Sequence, residues 1–432
     1  MSFSILHVVL LGLLIPWVSA EPSRIQKRSF RVDRVKNTHF KGHNGPRSLL
    51  KAYRKYQMPV SDELLEAVAN QEEPLNRRWF FKTTKPLSSN SNHKNKIANY
   101  GLVTATPQVG DIEFISPISI GGQTINVDFD SGSADLWVFS TQLPPTSTKG
   151  HQLYDHTKSK TFKLLPNETF TINYGDGSAA SGNVGTDTVH VGGVTVTGQA
   201  IEMATKVSSA FIDDVPNNGL LGLASSKLSQ VKPTKQKTFF ENLMPSLAEP
   251  LWTADLRRNK VGAYEFGRID GGKFKQDLAW VSANTTEGFW QFSTSGYAVG
   301  RRGNDSTSSE DLTRVETANI IADTGTTLML VAKEVSEAYY KQVPGAKNTP
   351  HLGGMTFPCH VELPDLWLDV GGVYKARIRG EDINFTKLRK DLCYGGIQPT
   401  TSKQQIWGDV FFRSQFVVFH GGNSSLGLAP HA

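Results

Sequence analysis

Cysteine is nearly absent from this chain: its 432 residues include two, Cys359 and Cys393. So few thiols argue against a Cys-based zinc site and against thiol catalysis. No interior apolar run is long enough to cross a bilayer, which argues against a membrane-spanning body. The one strongly apolar run covers residues 5–18 and ends Val18-Ser19-Ala20. Its length and small-residue exit predict a secretory signal peptide over 1–20, cleaved after Ala20. No Lys or Arg precedes the run, and a signal anchor is the alternative reading. In a secreted chain the two cysteines most simply form one disulfide. The loop of about 35 residues that it closes is worth about 3–4 kcal/mol on the chain-entropy estimate.

Acidic residues are scarce in one part of the chain, the stretch after the apolar run. The formal net charge is +6, yet residues 21–96 hold 17 Lys/Arg against 7 Asp/Glu, leaving 29 against 33 for residues 97–432. The basic residues of the leader are scattered, without a nucleic-acid-binding module, so no nucleic-acid partner is expected. A detachable basic propeptide over 21–96, covering an acidic cleft, accounts for the asymmetry. Within it, 48–56 and 62–69 show helical periodicity, whereas 82–96 is Ser/Asn/Lys-rich and reads as a cleavable linker.

From about residue 97 the texture changes to short Val/Ile/Thr/Phe-rich runs separated by Gly, Asn and Asp turns. The pattern predicts an all-β body, with strands at 114–120, 123–129, 136–140, 170–174, 185–191 and 194–201. A second set follows at 263–266, 279–281, 290–299, 317–322, 361–363 and 416–419. Helical stretches in this body are few and short, with 238–247 and 332–341 the best candidates. The divide between an N-terminal lobe, 97–260, and a C-terminal lobe, 261–432, falls in the stretch 250–271.

Two segments almost two hundred residues apart repeat one motif. Residues 125–133 and 319–327 each read as a strand running into Asp-Ser/Thr-Gly-Ser/Thr: Asp130-Ser131-Gly132-Ser133 and Asp323-Thr324-Gly325-Thr326. A strand delivers the carboxylate, Gly permits close backbone approach, and the hydroxyls can bond a carboxylate. Two lobes related by a rough two-fold axis would bring Asp130 and Asp323 together. Carboxylates that close share a proton and become a matched acid and base, the chemistry of peptide hydrolysis by an activated water. A single such tripeptide is weak, because Asp, Ser/Thr and Gly are common turn formers. Two copies with matching lead-ins are specific.

Further features are ordered around the pair. Tyr174-Gly175-Asp176-Gly177-Ser178 falls at a hairpin tip, Trp137 follows the first Asp, Gly219-Leu220-Leu221-Gly222 completes the first half, and Ile406-Trp407-Gly408-Asp409 the second. Together they resemble the pepsin family of aspartic endopeptidases, particularly its secreted fungal branch of the penicillopepsin and endothiapepsin (aspergillopepsin-like) type. The resemblance runs from about Asn99 to Ala429. It implies a bilobal pepsin-like fold, two homologous β lobes with a cleft between them.

The resemblance also implies roles. Asp130 and Asp323 are the catalytic dyad, with Asp323 as base and Asp130 protonated. Ser131 and Thr324 brace the two loops, Gly132 and Gly325 allow their approach, and Ser133 and Thr326 bond the outer carboxylate oxygens. Tyr174, Gly175 and Asp176 belong to a flap that closes over substrate. Trp137, Phe211 and Leu220 are the substrate-binding residues of a first specificity pocket for large apolar side chains, and Asp176 there implies tolerance of Lys. No cofactor or metal is implied. The partners implied are protein and peptide substrates, the chain's own propeptide and pepstatin-type inhibitors, for a monomeric, secreted, extracellular zymogen. Five sequons, at Asn167, Asn284, Asn304, Asn384 and Asn423, are glycosylation candidates.

Departures are Ser131 where Thr is commoner, Asn218 where Asp is usual, His420 for Asp and Trp407 for a smaller residue. None removes a reacting group. Paired carboxylates also serve glycosidases, but that chemistry needs no repeated Asp-Ser/Thr-Gly loop or Tyr-Gly hairpin. A catalytically dead pepsin-like binding protein would be expected to lack an Asp or the flap Tyr, and this chain keeps all three.

Overall fold

The computed structural model describes residues 28–36, 42–72, 114–173, 179–212, 215, 217–258, 260–300 and 312–432. The signal peptide, the linker 82–96, Asn304 and the hairpin tip 174–178 lie outside the described residues.

Alternation of apolar and polar residues builds the strands. In strand Gln123–Asp130, Ile125, Val127 and Phe129 are buried while the residues between them are less so. A tight turn at Gly121-Gly122, with φ of 55° and 83°, joins it to strand Phe114–Ile120. Only glycine adopts such angles without strain. The first half, with leader residues Val35–Lys36 added at one edge, forms a nine-stranded sheet; the second forms a seven-stranded sheet with a four-stranded one beside it. A six-stranded sheet links the halves. It takes Leu251–Asp255, Ala263–Phe266, Ala279–Ser282, Gln415–His420 and Ser425–Pro430 from the body, and Phe30–Asp33 from the leader at one edge. The two lobes are therefore all-β, as expected.

The internal repeat is carried by strand pairing. Strand Gln123–Asp130 runs parallel to Gly219–Gly222, which also pairs antiparallel with Leu136–Phe139. In the second lobe Thr313–Ala322 runs parallel to Gln404–Trp407, which also pairs antiparallel with Met329–Ala332. Each aspartate thus ends or follows the same strand of the same three-strand unit, and both loops emerge at the junction of the lobes.

The leader folds onto the body. Helix α1 (Gly45–Lys55) starts at Asn44, whose side chain accepts from Arg47 N, and carries Pro in its first turn. Helix α2 (Asp62–Glu72) follows. Leu49, Leu50, Ala52 and Met58, with Leu64 and Val68 of α2, pack on Ile321, Leu330, Phe385, Tyr394 and Ile406 of the second lobe. The periodic apolar positions of the leader are therefore a docking face.

Two expectations are corrected. The run 361–363 is not a strand but a turn, with Val361 N bonded to Pro358 O. Pro364 delays the strand to Asp365–Val370, where Asp365 is held by Arg377 and by Gly380 N. The helix expected over 238–247 is shorter, Phe239–Leu243, with a capping box between Thr238 and Glu241 and a 3-10 turn through Ser246. Pro245 has no N–H to continue it.

Candidate active site

Asp130 ends its strand and Asp323 follows Ala322, so both leave a sheet as the chain turns. The two loops interlock. Ser131 N donates to Thr324 Oγ1 at 3.0 Å, and Thr324 N donates to Ser131 Oγ at 2.9 Å. Ser131 Oγ donates in turn to Ala322 O, and Thr324 Oγ1 to Phe129 O. Each hydroxyl therefore links the opposite loop to the strand beneath it. Gly132 N donates to Asp130 Oδ1 and Gly325 N to Asp323 Oδ1. Ser133 Oγ donates to Asp130 Oδ2 at 2.6 Å, and Thr326 Oγ1 makes the equivalent short bond to Asp323 Oδ2. A Cβ on Gly132 would sit 2.5 Å from Asp323 Oδ1, and one on Gly325 would strike Asp130, so glycine is required at both places.

The dyad is buried, at 1% and 0% exposure. The leader reaches it. Lys55 Nζ, at the end of α1, lies 2.8 Å from Asp130 Oδ1 and 3.1 and 3.0 Å from the two oxygens of Asp323. Tyr56 OH donates to Asp323 Oδ2 at 2.6 Å, and its ring packs against Phe289. Burial raises the Asp130 carboxyl above its usual range, and the neighbouring Asp323 adds to the rise against the pull of Lys55. Asp323 goes the other way. Burial opposes its ionisation, but Lys55 and hydrogen bonds from Asp130, Thr326 and Tyr56 outweigh that and hold it well below the carboxylate range. As pH falls, Asp130 is thus the first of the pair to take a proton and Asp323 the last. Lys55 is buried too, yet the two carboxylates hold its ammonium charged.

The structure brings Trp137, Phe211 and Leu220 together. Trp137 pairs with Leu220 across adjacent strands, and Phe211 meets the indole edge-on at 4.8 Å. Tyr174, Gly175 and Asp176 fall outside the described residues. Cys359 and Cys393 form a disulfide, Cα to Cα 5.0 Å, stapling two strands of the four-stranded sheet. Asn167, Asn284 and Asn423 are exposed; Asn384 is half-buried, and Thr386 of its sequon donates to His43 O of the leader.

Sequence reasoning missed Lys55 and Tyr56 as occupants of the site. A basic residue in the last turn of a helix was visible, but nothing local separated it from the other leader cations. Also missed was a carboxyl pair below Trp137. Glu202 and Asp135 are both buried, and burial followed by the neighbouring Asp135 raises Glu202 well above its usual range.

Two interlocked loops that each present a carboxylate, one shifted above and the other below the usual carboxyl range, define an aspartic-peptidase site. Among the described residues no group of His, Cys, Asp and Glu could hold a metal ion, and no helix is long and apolar enough to cross a membrane. Residues 113–431 match the family model for eukaryotic aspartyl protease. Relatives include aspartic protease PEP3 of Coccidioides posadasii, 40% identical over 96% of this chain and 93% of that protein. Endothiapepsin of Cryphonectria parasitica is 42% identical over 95% and 92%. Aspergillopepsin-1 of Aspergillus oryzae is 44% identical over 78% and 82%. The chain belongs to the eukaryotic aspartyl protease family, and it is an aspartic-type endopeptidase, a hydrolase of proteins.

Proposed function

We propose that this chain is the zymogen of a secreted endopeptidase that works in acid and prefers large apolar residues at the scissile bond. The observation that carries this reading is Lys55 Nζ lying within hydrogen-bond distance of both dyad carboxylates. An ammonium there neutralises the dyad and holds the place of the attacking water. As pH falls through the raised range of Asp130, that carboxylate gains a proton while Lys55 stays cationic, and one of its two anionic partners is lost. The leader then lifts, and the linker 82–96 is cut.

In the freed site, Asp323 takes a proton from water as its oxygen attacks the carbonyl carbon, and Asp130 gives its proton to the carbonyl oxygen. Collapse of the resulting diol returns a proton to Asp130, while Asp323 passes its proton to the leaving amine. Trp137, Phe211 and Leu220 form the first pocket, favouring Phe or Leu, and Asp176 of the flap lets Lys enter as well. An apolar signal sequence and the disulfide agree with secretion.

The test is expression of the full chain and transfer to roughly pH 3–4, near ordinary carboxyl pKa values. The reading expects a latent precursor at pH 7, loss of the leader in acid, and hydrolysis of denatured haemoglobin blocked by pepstatin. Asp130→Asn and Asp323→Asn should each leave less than a few per cent of kcat. Full activity of the unprocessed precursor at pH 7, or substantial activity in either variant, overturns it.

A further inference from the structure

Away from the dyad, one imidazole faces acceptors on both edges. His151 Nδ1 lies 3.1 Å from the carbonyl oxygen of Asn217 and 3.2 Å from Asn218 Oδ1. Its Nε2 lies 3.0 Å from the carbonyl oxygen of Ile212. Asn218 Oδ1 also accepts from Gln152 N at 2.9 Å, which marks that atom as the amide oxygen. Carbonyl oxygens only accept, so a neutral ring with one N–H satisfies one edge and an imidazolium satisfies both. One face of the ring is taken as well, stacked on Phe139 with centroids 3.9 Å apart and planes 9° from parallel.

The partners of this ring belong to the substrate pocket. Phe139 shares strand Leu136–Phe139 with Trp137. Ile212 ends the short helix α3 (Ser209–Ile212), which carries Phe211 against the Trp137 indole. Four residues make too little helix to hold themselves, and the last carbonyls of a helix lack partners within it. Just before α3, Ser208 exchanges bonds with Ala179: Ser208 N donates to Ala179 O, and Ala179 N to Ser208 Oγ. The same helix is thereby tied to the stem of the hairpin whose tip is 174–178.

We propose that His151, as an imidazolium, is a positioning residue for the first specificity pocket: it holds the Ile212 carbonyl and so fixes the Phe211 wall against Trp137. This rests on the reading of Phe211 as a pocket wall. Among the described residues, the groups that contact the ring are Phe139 from its strand, Ile212 from α3, and Asn217 and Asn218 from the following segment, all uncharged. Lys149 lies two residues before the ring in sequence; Asp213 and Asp214, which follow α3, lie outside the described residues. Loss of the second ring proton leaves one nitrogen lone pair against an oxygen, which frees one side of the brace.

The experiment compares acid-matured wild type with His151→Gln, Phe211→Ala and Asn218→Asp. The substrates are two peptides that differ only in Phe or Ala before the scissile bond, assayed between pH 4 and pH 6.5. His151→Gln should raise KM for the Phe peptide about 5- to 20-fold with kcat within about 2-fold, and change the Ala peptide little. Phe211→Ala should lower the preference for Phe similarly. Asn218→Asp, which offers the ring a carboxylate, should carry the Phe preference to higher pH than wild type. If Phe211→Ala lowers the preference and His151→Gln does not, the role of His151 falls while the pocket reading stands. If neither variant lowers it, both fall. Should His151→Gln fail to fold, Asn218→Asp decides: an unchanged pH dependence of the Phe preference overturns the proposal.

Discussion

Replacing Lys55 by Met removes the cation that bridges the dyad carboxylates and keeps most of the side-chain volume. In the structure the Lys55 side chain is 7% exposed, and its ammonium makes close contacts with three carboxylate oxygens. Deleting one partner of such a buried ion pair costs about 3–5 kcal/mol, because the remaining charge is left uncompensated. Here the remaining charge is the ionised member of the dyad, and it becomes compensated again as soon as water replaces the leader. The cost therefore falls on the closed precursor and spares the open one. At 1.36 kcal/mol per decade, the open fraction should rise by roughly two to three and a half decades. Tyr56, which bonds Asp323, and the apolar face of α1 still hold the leader, so the gain stops where the open form becomes dominant. The assay is the initial rate on a quenched fluorescent peptide at pH 6, read before leader loss is visible on a gel. Lys55→Met should hydrolyse at least about 30-fold faster than wild-type precursor. Lys55→Arg, which keeps the charge on a wider group, should fall between. A Lys55→Met precursor as latent as wild type would refute the view that this ammonium is the lock.

Ser131→Ala should leave Thr324 N and Ala322 O without their partners in a buried place, costing about 2–5 kcal/mol in total and lowering kcat, whereas Ser131→Thr keeps both bonds; thermal melts of the two variants check this. Glu202→Gln should stabilise the matured protein at pH 7.5 and change it little at pH 4.5. Glu202 is raised in the fold by burial and by Asp135, so its neutral form is favoured there, and stability present in acid is lost as pH climbs above the ordinary carboxyl range. Each kcal/mol recovered should add about 2–4 °C to Tm at pH 7.5, and an unchanged gap between the two melts would show that the pair does not govern neutral lability. Reduced and alkylated protein, or a Cys359→Ser, Cys393→Ser double variant, should lose about 3–4 kcal/mol in denaturant unfolding, from the 34-residue separation the bridge spans.

Features written as contiguous, repeated patterns were legible in the sequence. The Asp-Ser/Thr-Gly loops, the alternating strands around them and the apolar stripes of α1 and α2 depend on short-range periodicity and turn chemistry, which a chain displays wherever it folds. The strand Asp365–Val370 was misplaced because its pattern competes with Pro364 and with an inward Asp365 whose burial is satisfied by the distant Arg377 and Gly380 N. Buried on every residue, it lacks the alternation that marks a half-exposed strand. Selection of Lys55 from the leader's 17 cations belongs to the tertiary structure alone. A charge pair is decided by distance and desolvation, and neither is encoded in the residues beside Lys55. The same reason hid Glu202 beside Asp135, and His151 between Ile212 and Asn217. Each is an ordinary polar residue in sequence, and its surroundings come only from groups that the tertiary fold brings to it.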